Sequence, residues 1–266
     1  MKKVLVVLIS MAVGMLLATS AMAYTGSYTP GLGINGTVHD LGTAHDGMNY
    51  VAVPDDSLDR ICIFCHAPHN TYRLFGTTGG AGPEAPDGYD YLPLWNHDLP
   101  LTMPSYVMYT NGAGPASGSK HSQAMDLTAA LGSTSVLCLS CHDGSLAVNA
   151  YGNSNQRTGS ESNGTTTIST GYVIGQDNYL GNHHPIGFSY EDAQGADTEL
   201  RTSDTMMTGG TNPTSIADHL YADKMECATC HSVHNTGNSG EALLWRSDQN
   251  SELCLTCHAK GTYTLP

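Results

Sequence analysis

Apolar positions in this chain concentrate at its start. Val4 to Leu17 form one apolar run behind Lys2 and Lys3, and Ala21-Met22-Ala23 follows as a small-residue end. That order predicts an export signal over residues 1–23, cut before Tyr24. The rival reading is an uncleaved anchor, because Val4 to Ala23 matches the roughly 20 residues of a spanning helix; the A-x-A ending favours cleavage. No later segment is apolar for long enough to span a bilayer. Downstream the pattern loses its period. Residues 151–182, rich in Gly, Asn, Ser and Thr, and residues 76–90 read as surface loop, the first with room for a hairpin.

Composition sharpens this. With 30 Gly and 12 Pro in 266 residues, a helical bundle is excluded, and helices should be short. Three Phe, two Trp and 7 % aromatics supply a thin core for such a length, so something other than side chains must fill the interior. The formal charge of −14 sets nucleic acid and polybasic membrane docking aside. Loss of Lys2 and Lys3 leaves 8 cationic against 24 acidic side chains, or −16.

Eight cysteines in an exported chain would ordinarily read as four disulfides. Their spacing argues otherwise. They form four C-x-x-C pairs, each followed at once by histidine: Cys62-Cys65-His66, Cys138-Cys141-His142, Cys227-Cys230-His231 and Cys254-Cys257-His258. With 13 His in 266 positions, four such followers arise by chance on the order of one time in 10⁵. C-x-x-C-H is the attachment site of c-type haem. On a helical turn, positions i, i+3 and i+4 share a face, so two thiols reach the vinyl groups while the imidazole meets the iron. Two four-cysteine zinc sites would leave the adjacent histidines idle. Four covalent haems would also supply the missing core.

His66, His142, His231 and His258 then serve as proximal ligands, and nine further histidines remain for four sixth positions. Methionines are available too, but the histidine surplus favours bis-histidine irons of low potential. His69 and His234 each stand three residues beyond a proximal histidine, placed on a helical turn to project toward a neighbouring haem. His97, His184 ahead of Pro185, and His39 and His45, each followed by Asp, complete the candidates, while His121, His183 and His219 also read as ordinary surface residues.

The motifs repeat internally. Cys62 to Asn70 and Cys227 to Asn235 share C-x-x-C-H-x-x-H-N, Leu137 to His142 and Leu253 to His258 share L-C-L-[ST]-C-H, and Leu94-Trp95 is paired with Leu244-Trp245 between them. The order A, B, A′, B′ predicts one tetrahaem domain over 24–266, built as a duplicated two-haem unit (24–150 and 183–266) joined by the loop 151–182. The spacing from Cys62 to Cys138 is 76 residues but from Cys227 to Cys254 only 27, so the first half carries an insertion. The fold class expected is a multihaem cytochrome c: mostly irregular, with short helices at the motifs, few short strands and a haem-dominated core. Asn35-Gly36-Thr37 and Asn163-Gly164-Thr165 fit a glycosylation sequon and are expected at the surface.

With these segments in view, together with His39-Asp40-Leu41, Leu94 to His97, Cys138 to Gly144, His184-Pro185-Ile186 and Cys254 to Lys260, the mature chain resembles multihaem c-type cytochromes. Within that group it is similar to the extracellular tetrahaem cytochromes of metal-reducing bacteria that polymerise into conductive filaments (OmcE-like). The resemblance implies bis-histidine ligation throughout, haems packed face to face or in T-shapes, and one distal histidine supplied by a neighbouring subunit, with the crossing residue left open. The expected function is electron transfer rather than enzymatic bond-making: a cell-surface or extracellular conduit, with other electron-transfer cytochromes as partners. The alternatives are a soluble periplasmic shuttle, whose distal ligands all come from one chain, and a multihaem reductase with one open iron.

Overall fold

The structure is a computed structural model that describes residues 30–41, 60–69, 71–74, 76–78, 84–85, 87–100, 105–108, 131–152, 167–168, 173–238 and 241–264. The expected signal, His45, His121 and the sequon at Asn163 lie outside these residues, as does most of the hairpin expected within 151–182. The chain is loop-rich, as its composition requires. Among the described residues the longest helix has ten residues. The helices among the described residues are α1 (Ser133–His142), α2 (Tyr190–Ala196), α3 (Cys227–Cys230) and α4 (Glu252–Cys257), with 3-10 turns at Cys62–Phe64, Gln176–Asn178, Ala217–His219 and Gln249–Ser251. A two-stranded antiparallel hairpin, β1 (Met206–Thr208) with β2 (Thr214–Ser215), pairs Met206 with Ser215. Its turn contains Gly210 at φ 86°, and the Thr208 and Thr214 hydroxyls bond across it at 2.6 Å.

Each C-x-x-C-H thus occupies a helical turn. α1 ends because Gly144, at φ 75°, takes the left-handed position after the helix and its N–H returns to the Cys141 carbonyl at 3.2 Å. α2 is capped by Ser189, whose Oγ accepts from Asp192 N at 3.2 Å, and Glu191 and Asp192 face the positive end of its dipole. A side-chain core does exist, which the aromatic count had not suggested. Val136, Leu137 and Leu139 of α1 join Leu180, Phe188, Tyr190, Met207, Ile216 and Met225 in one buried cluster. The cluster is mostly aliphatic, with Tyr89, Trp95, Phe188 and Tyr190 as its aromatics, so the low aromatic content understated it.

The A and A′ turns are clasped by two extended segments. Ala67 N donates to Leu94 O at 3.1 Å and Asn96 N to Cys65 O at 2.8 Å; in the second half Ser232 N donates to Leu243 O and Trp245 N to Cys230 O, both at 3.1 Å. Asn96 Nδ2 caps Ile63 O at 2.5 Å where Trp245 Nε1 caps Ala228 O at 3.0 Å. Leu94 and Leu243 are both left-handed, at φ 53° and 60°. The repeat therefore matches Leu94 to Leu243 and Asn96 to Trp245. The tryptophans, paired by sequence, are one residue out of register.

α1 packs against α3, and Glu226 joins them. Its carboxylate, 1 % exposed, accepts from Gly132 N at 2.9 Å and from the Ser135 hydroxyl, while Glu226 N donates to Thr229 Oγ1 at 2.9 Å in a capping box. Burial holds the carboxyl above its ordinary value of 4.5, with the Ser135 and Gly132 bonds opposing. Replacing Glu226 by Ala leaves the Gly132 amide without its acceptor, and the denaturant unfolding free energy should fall by about 1–3 kcal/mol. A loss within error would remove the joint. Because the folded carboxyl keeps its proton to higher pH than an unfolded one, the native state binds the extra proton there, and stability falls as pH rises from 4.5 through the raised folded value. Glu226→Gln should lack that slope in unfolding curves measured across the interval.

Candidate functional site

The turns place each proximal imidazole and then pin it. His66 N donates to Cys62 O at 2.7 Å, His231 N to Cys227 O at 3.1 Å and His258 N to Cys254 O at 2.9 Å, so each histidine closes the turn that begins at its first cysteine. With the proton assigned to Nδ1, His66 donates to Pro93 O at 2.6 Å and His231 to Leu243 O at 3.3 Å. A carbonyl at Nδ1 leaves Nε2 unprotonated and outward, the form that binds a metal.

Three of the four proximal rings face a second imidazole. Ring centroids lie 6.0 Å apart for His66 and His234, 6.0 Å for His142 and His39, and 6.3 Å for His258 and His184. A metal–imidazole bond of about 2.0 Å, plus about 1.2 Å from nitrogen to ring centre, sets two rings on opposite sides of one ion about 6.4 Å apart. The observed separations fit an iron between them. Burial pushes the pKa of His39 down to about 4, with His142 beside it adding to the shift, so the ring is held neutral and competent to ligate. Its Nδ1 is buried without a hydrogen-bond partner.

His39 is delivered by a docked arm. Gly33 N donates to Asn235 O and Asn235 Nδ2 donates back to Gly33 O, both at 2.9 Å, and Asn238 Oδ1 accepts from Gly31 N at 3.2 Å. Asn235, the last residue of C-x-x-C-H-x-x-H-N, therefore holds residues 30–41 against the A′ motif. Its Oδ1 also accepts from Leu243 N at 3.1 Å, tying arm, motif and clasp together. Asp40 Oδ2 accepts from Gly36 N at 2.7 Å, which closes the arm's turn ahead of His39. In the sequon Asn35 is exposed, whereas Thr37 is fully buried.

His234 reaches His66 by a different route from the one expected. His231 is extended, at φ −100° and ψ 123°, and Asn235 N returns to Ser232 O at 2.8 Å, so a turn rather than a helix carries His234 outward. His69 is exposed beside its own motif and has no ring partner among the described residues. His231 likewise faces no second imidazole among them. His97 is buried behind Cys141, and His219 is held by Thr214 Oγ1 at 2.7 Å and packs on Trp245 at 4.4 Å.

The thiols neighbour one another in chain order. Cys65 lies close enough to Cys141 to raise its pKa, the Cys138 and Cys227 side chains hydrogen-bond, and Cys257 raises Cys230. Burial pushes Cys65 and Cys257 up to about 11 and Cys230 to about 12. No disulfide joins the eight cysteines, and among the described residues no three His, Cys, Asp or Glu side chains converge as a metal cluster by themselves. A cleft of about 490 Å³ opens beside the A turn, lined by Ile61, Cys62, Ile63, His66, Ala67 and Pro68. Val38 and Val233, next to His39 and His234, are also exposed. Thiol pair, imidazole pair and bare apolar wall together fit a flat apolar macrocycle. Sequence reasoning missed Glu226, Asn235 and Arg246; the E-x-x-T pattern ahead of α3 was a readable signal for the first.

Residues 219–262 match the family model for the doubled CXXCH motif, which spans A′ and B′ and marks covalent attachment of c-type haem. No curated protein and no solved structure matches the chain significantly. The second half thus carries the haem-attachment chemistry of multihaem c-type cytochromes, and with it a part in electron transfer.

Proposed function

We propose that this chain is an exported tetrahaem electron-transfer protein with bis-histidine irons. The observation that carries the reading is the set of three imidazole pairs at 6.0–6.3 Å, each with one member in a C-x-x-C-H turn. Cys62 and Cys65, Cys138 and Cys141, Cys227 and Cys230, and Cys254 and Cys257 hold the four groups. His66 pairs with His234, His142 with His39, and His258 with His184. A six-coordinate c-type haem, when bound, passes electrons without opening a position for substrate. The chain's own task is to fix the rings: the Pro93 and Leu243 carbonyls orient two proximal imidazoles, and Asn235 keeps His39 at its post. Contacts in the order A–B–A′–B′ support a single path along the molecule.

The chain further acts as an extracellular or cell-surface conduit that assembles with its own copies. His231 lacks a second imidazole among the described residues, while exposed His69 is the repeat's counterpart of His234; a neighbouring copy's histidine completes that site. No helix among the described residues is long and apolar enough to cross a membrane. A soluble periplasmic shuttle, with His45 or His69 closing the fourth site within one chain, is the alternative.

Three measurements test this. Protein made with haem-attachment machinery should be red, with an intact mass exceeding the processed chain by four haems, and Cys227→Ser with Cys230→Ser should remove one; a colourless product ends the reading. His39→Ala and His234→Ala should each give one high-spin, carbon-monoxide-binding iron that added imidazole returns to low spin, and Asn235→Ala should partly reproduce the His39 result. Native spectra in all of these would void the pairings. Light scattering should show association, lost in His69→Ala with haem content unchanged; a wild-type monomer with four low-spin irons would favour the shuttle.

A further inference from the structure

The clasp register gives His97 an equivalent in the second half. Leu94 corresponds to Leu243, so His97 corresponds to Arg246, and both are buried, at 1 % and 5 % exposure. Their partners correspond as well. His97 Nδ1 lies 3.3 Å from Ser140 Oγ, and an Arg246 guanidinium N–H donates to Thr256 Oγ1 at 3.1 Å; Ser140 and Thr256 each precede the second cysteine of a B-type motif. Each hydroxyl is itself tied into its helix, Ser140 Oγ donating to Leu137 O at 2.7 Å and Thr256 Oγ1 to Glu252 O at 3.0 Å. An arginine cannot bind iron, yet it occupies this place behind B′.

The ring of His97 is buried between main-chain carbonyls, only one of which its single N–H can bond. Nδ1 lies 2.9 Å from Asp98 O and Nε2 3.0 Å from Ala147 O, while Nε2 also stands 3.2 Å from Cys141 Sγ. Neither nitrogen faces a proximal imidazole; the ring's aromatic neighbour is Trp95, at 6.3 Å. With the ring's one proton on Nε2, that N–H is shared between Ala147 O at 3.0 Å and Cys141 Sγ at 3.2 Å; a thioether sulfur, which carries no hydrogen, can only accept it.

We infer that His97 is not an iron ligand but a positioning residue for the His142 haem: it latches the extended segment 95–98 to the back of α1 and donates a hydrogen bond to the Cys141 sulfur, as Arg246 latches α4. The inference rests on the haem reading above. A donor at that sulfur withdraws electron density from the group attached there and raises its potential.

The test compares His97→Gln and His97→Phe with wild type, all haem-loaded. Haem content by mass, spin state by electron paramagnetic resonance, and a redox titration are read on each. Four low-spin haems are expected in both variants. One of the four waves should move to lower potential in His97→Phe and lie nearer its wild-type position in His97→Gln, which keeps an N–H donor. A single high-spin iron in His97→Gln, restored to low spin by imidazole, would make His97 a ligand and overturn the inference, and His97→Gln decides this even where the Phe variant fails to fold. Four unmoved waves in a folded His97→Phe would overturn the sulfur contact. A wild-type chain without haem mass is a separate outcome, which strikes the function and not the placement of His97.

Discussion

Two imidazoles must be held about 6.4 Å apart before they can share one ion, and in this chain the Pro93 and Leu243 carbonyls orient two of the rings that stand in C-x-x-C-H turns. A turn that closes on its own first cysteine sets the height of the proximal ring. A carbonyl from a passing strand sets its rotation. These are main-chain groups, so the chemistry asks little of the surrounding side chains, and a chain poor in aromatics with 42 Gly and Pro can meet it. Such a site is assembled from loops because loops, unlike helices, leave carbonyls free to orient a ring.

The second imidazole is supplied at longer range, and here a few polar residues matter more than the apolar cluster. Asn235 spends both ends of its amide, one on Gly33 in the arm and one on Leu243 in the clasp. Glu226 ties the start of α1 to the start of α3. Each is 1 % exposed, and a buried polar group that loses its partner costs about 1–3 kcal/mol. Both therefore act as locks: arrangements that leave them unpaired are penalised, and the surviving arrangement brings His39 to His142 and Cys138 to Cys227.

The helical turns at the C-x-x-C-H motifs, and the haem-attachment pair in the second half, were legible in the sequence because their geometry is local. Cys-x-x-Cys-His needs only one turn, and one turn can be read from spacing. The same reasoning failed three residues on. A helical continuation was assumed from His231 to His234, whereas the backbone turns extended at His231 and folds back at Asn235, φ 51°. The tryptophan pairing failed for a related reason: it matched side chains, while the repeat preserves main-chain bonds and the left-handed Leu94 and Leu243, which no residue type announces. The hairpin at 206–215 was passed over, since strands of three and two residues carry too little alternation to register. His39, His184 and His234 could be named as candidates, but which C-x-x-C-H ring each stands beside depends on contacts far apart in sequence.

The unequal halves pose the last question, whether a repeat can keep its geometry when one copy has 76 residues between motifs and the other 27. Closure entropy grows only logarithmically with length, so the longer connection costs about 0.9 kcal/mol more than the shorter. That is less than a single buried hydrogen bond can return. The clasp at 93–97 divides the extra length into a piece before it and a longer piece after it, and α1 re-enters with Gly132 bonded to Glu226, so each piece ends on contacts to motif turns. Length between the pins is then nearly free to vary, whereas the pins are not. His97 and Arg246 differ in chemistry yet share such a pinned place, each a buried polar side chain beside the residue that precedes the second cysteine of a B-type motif.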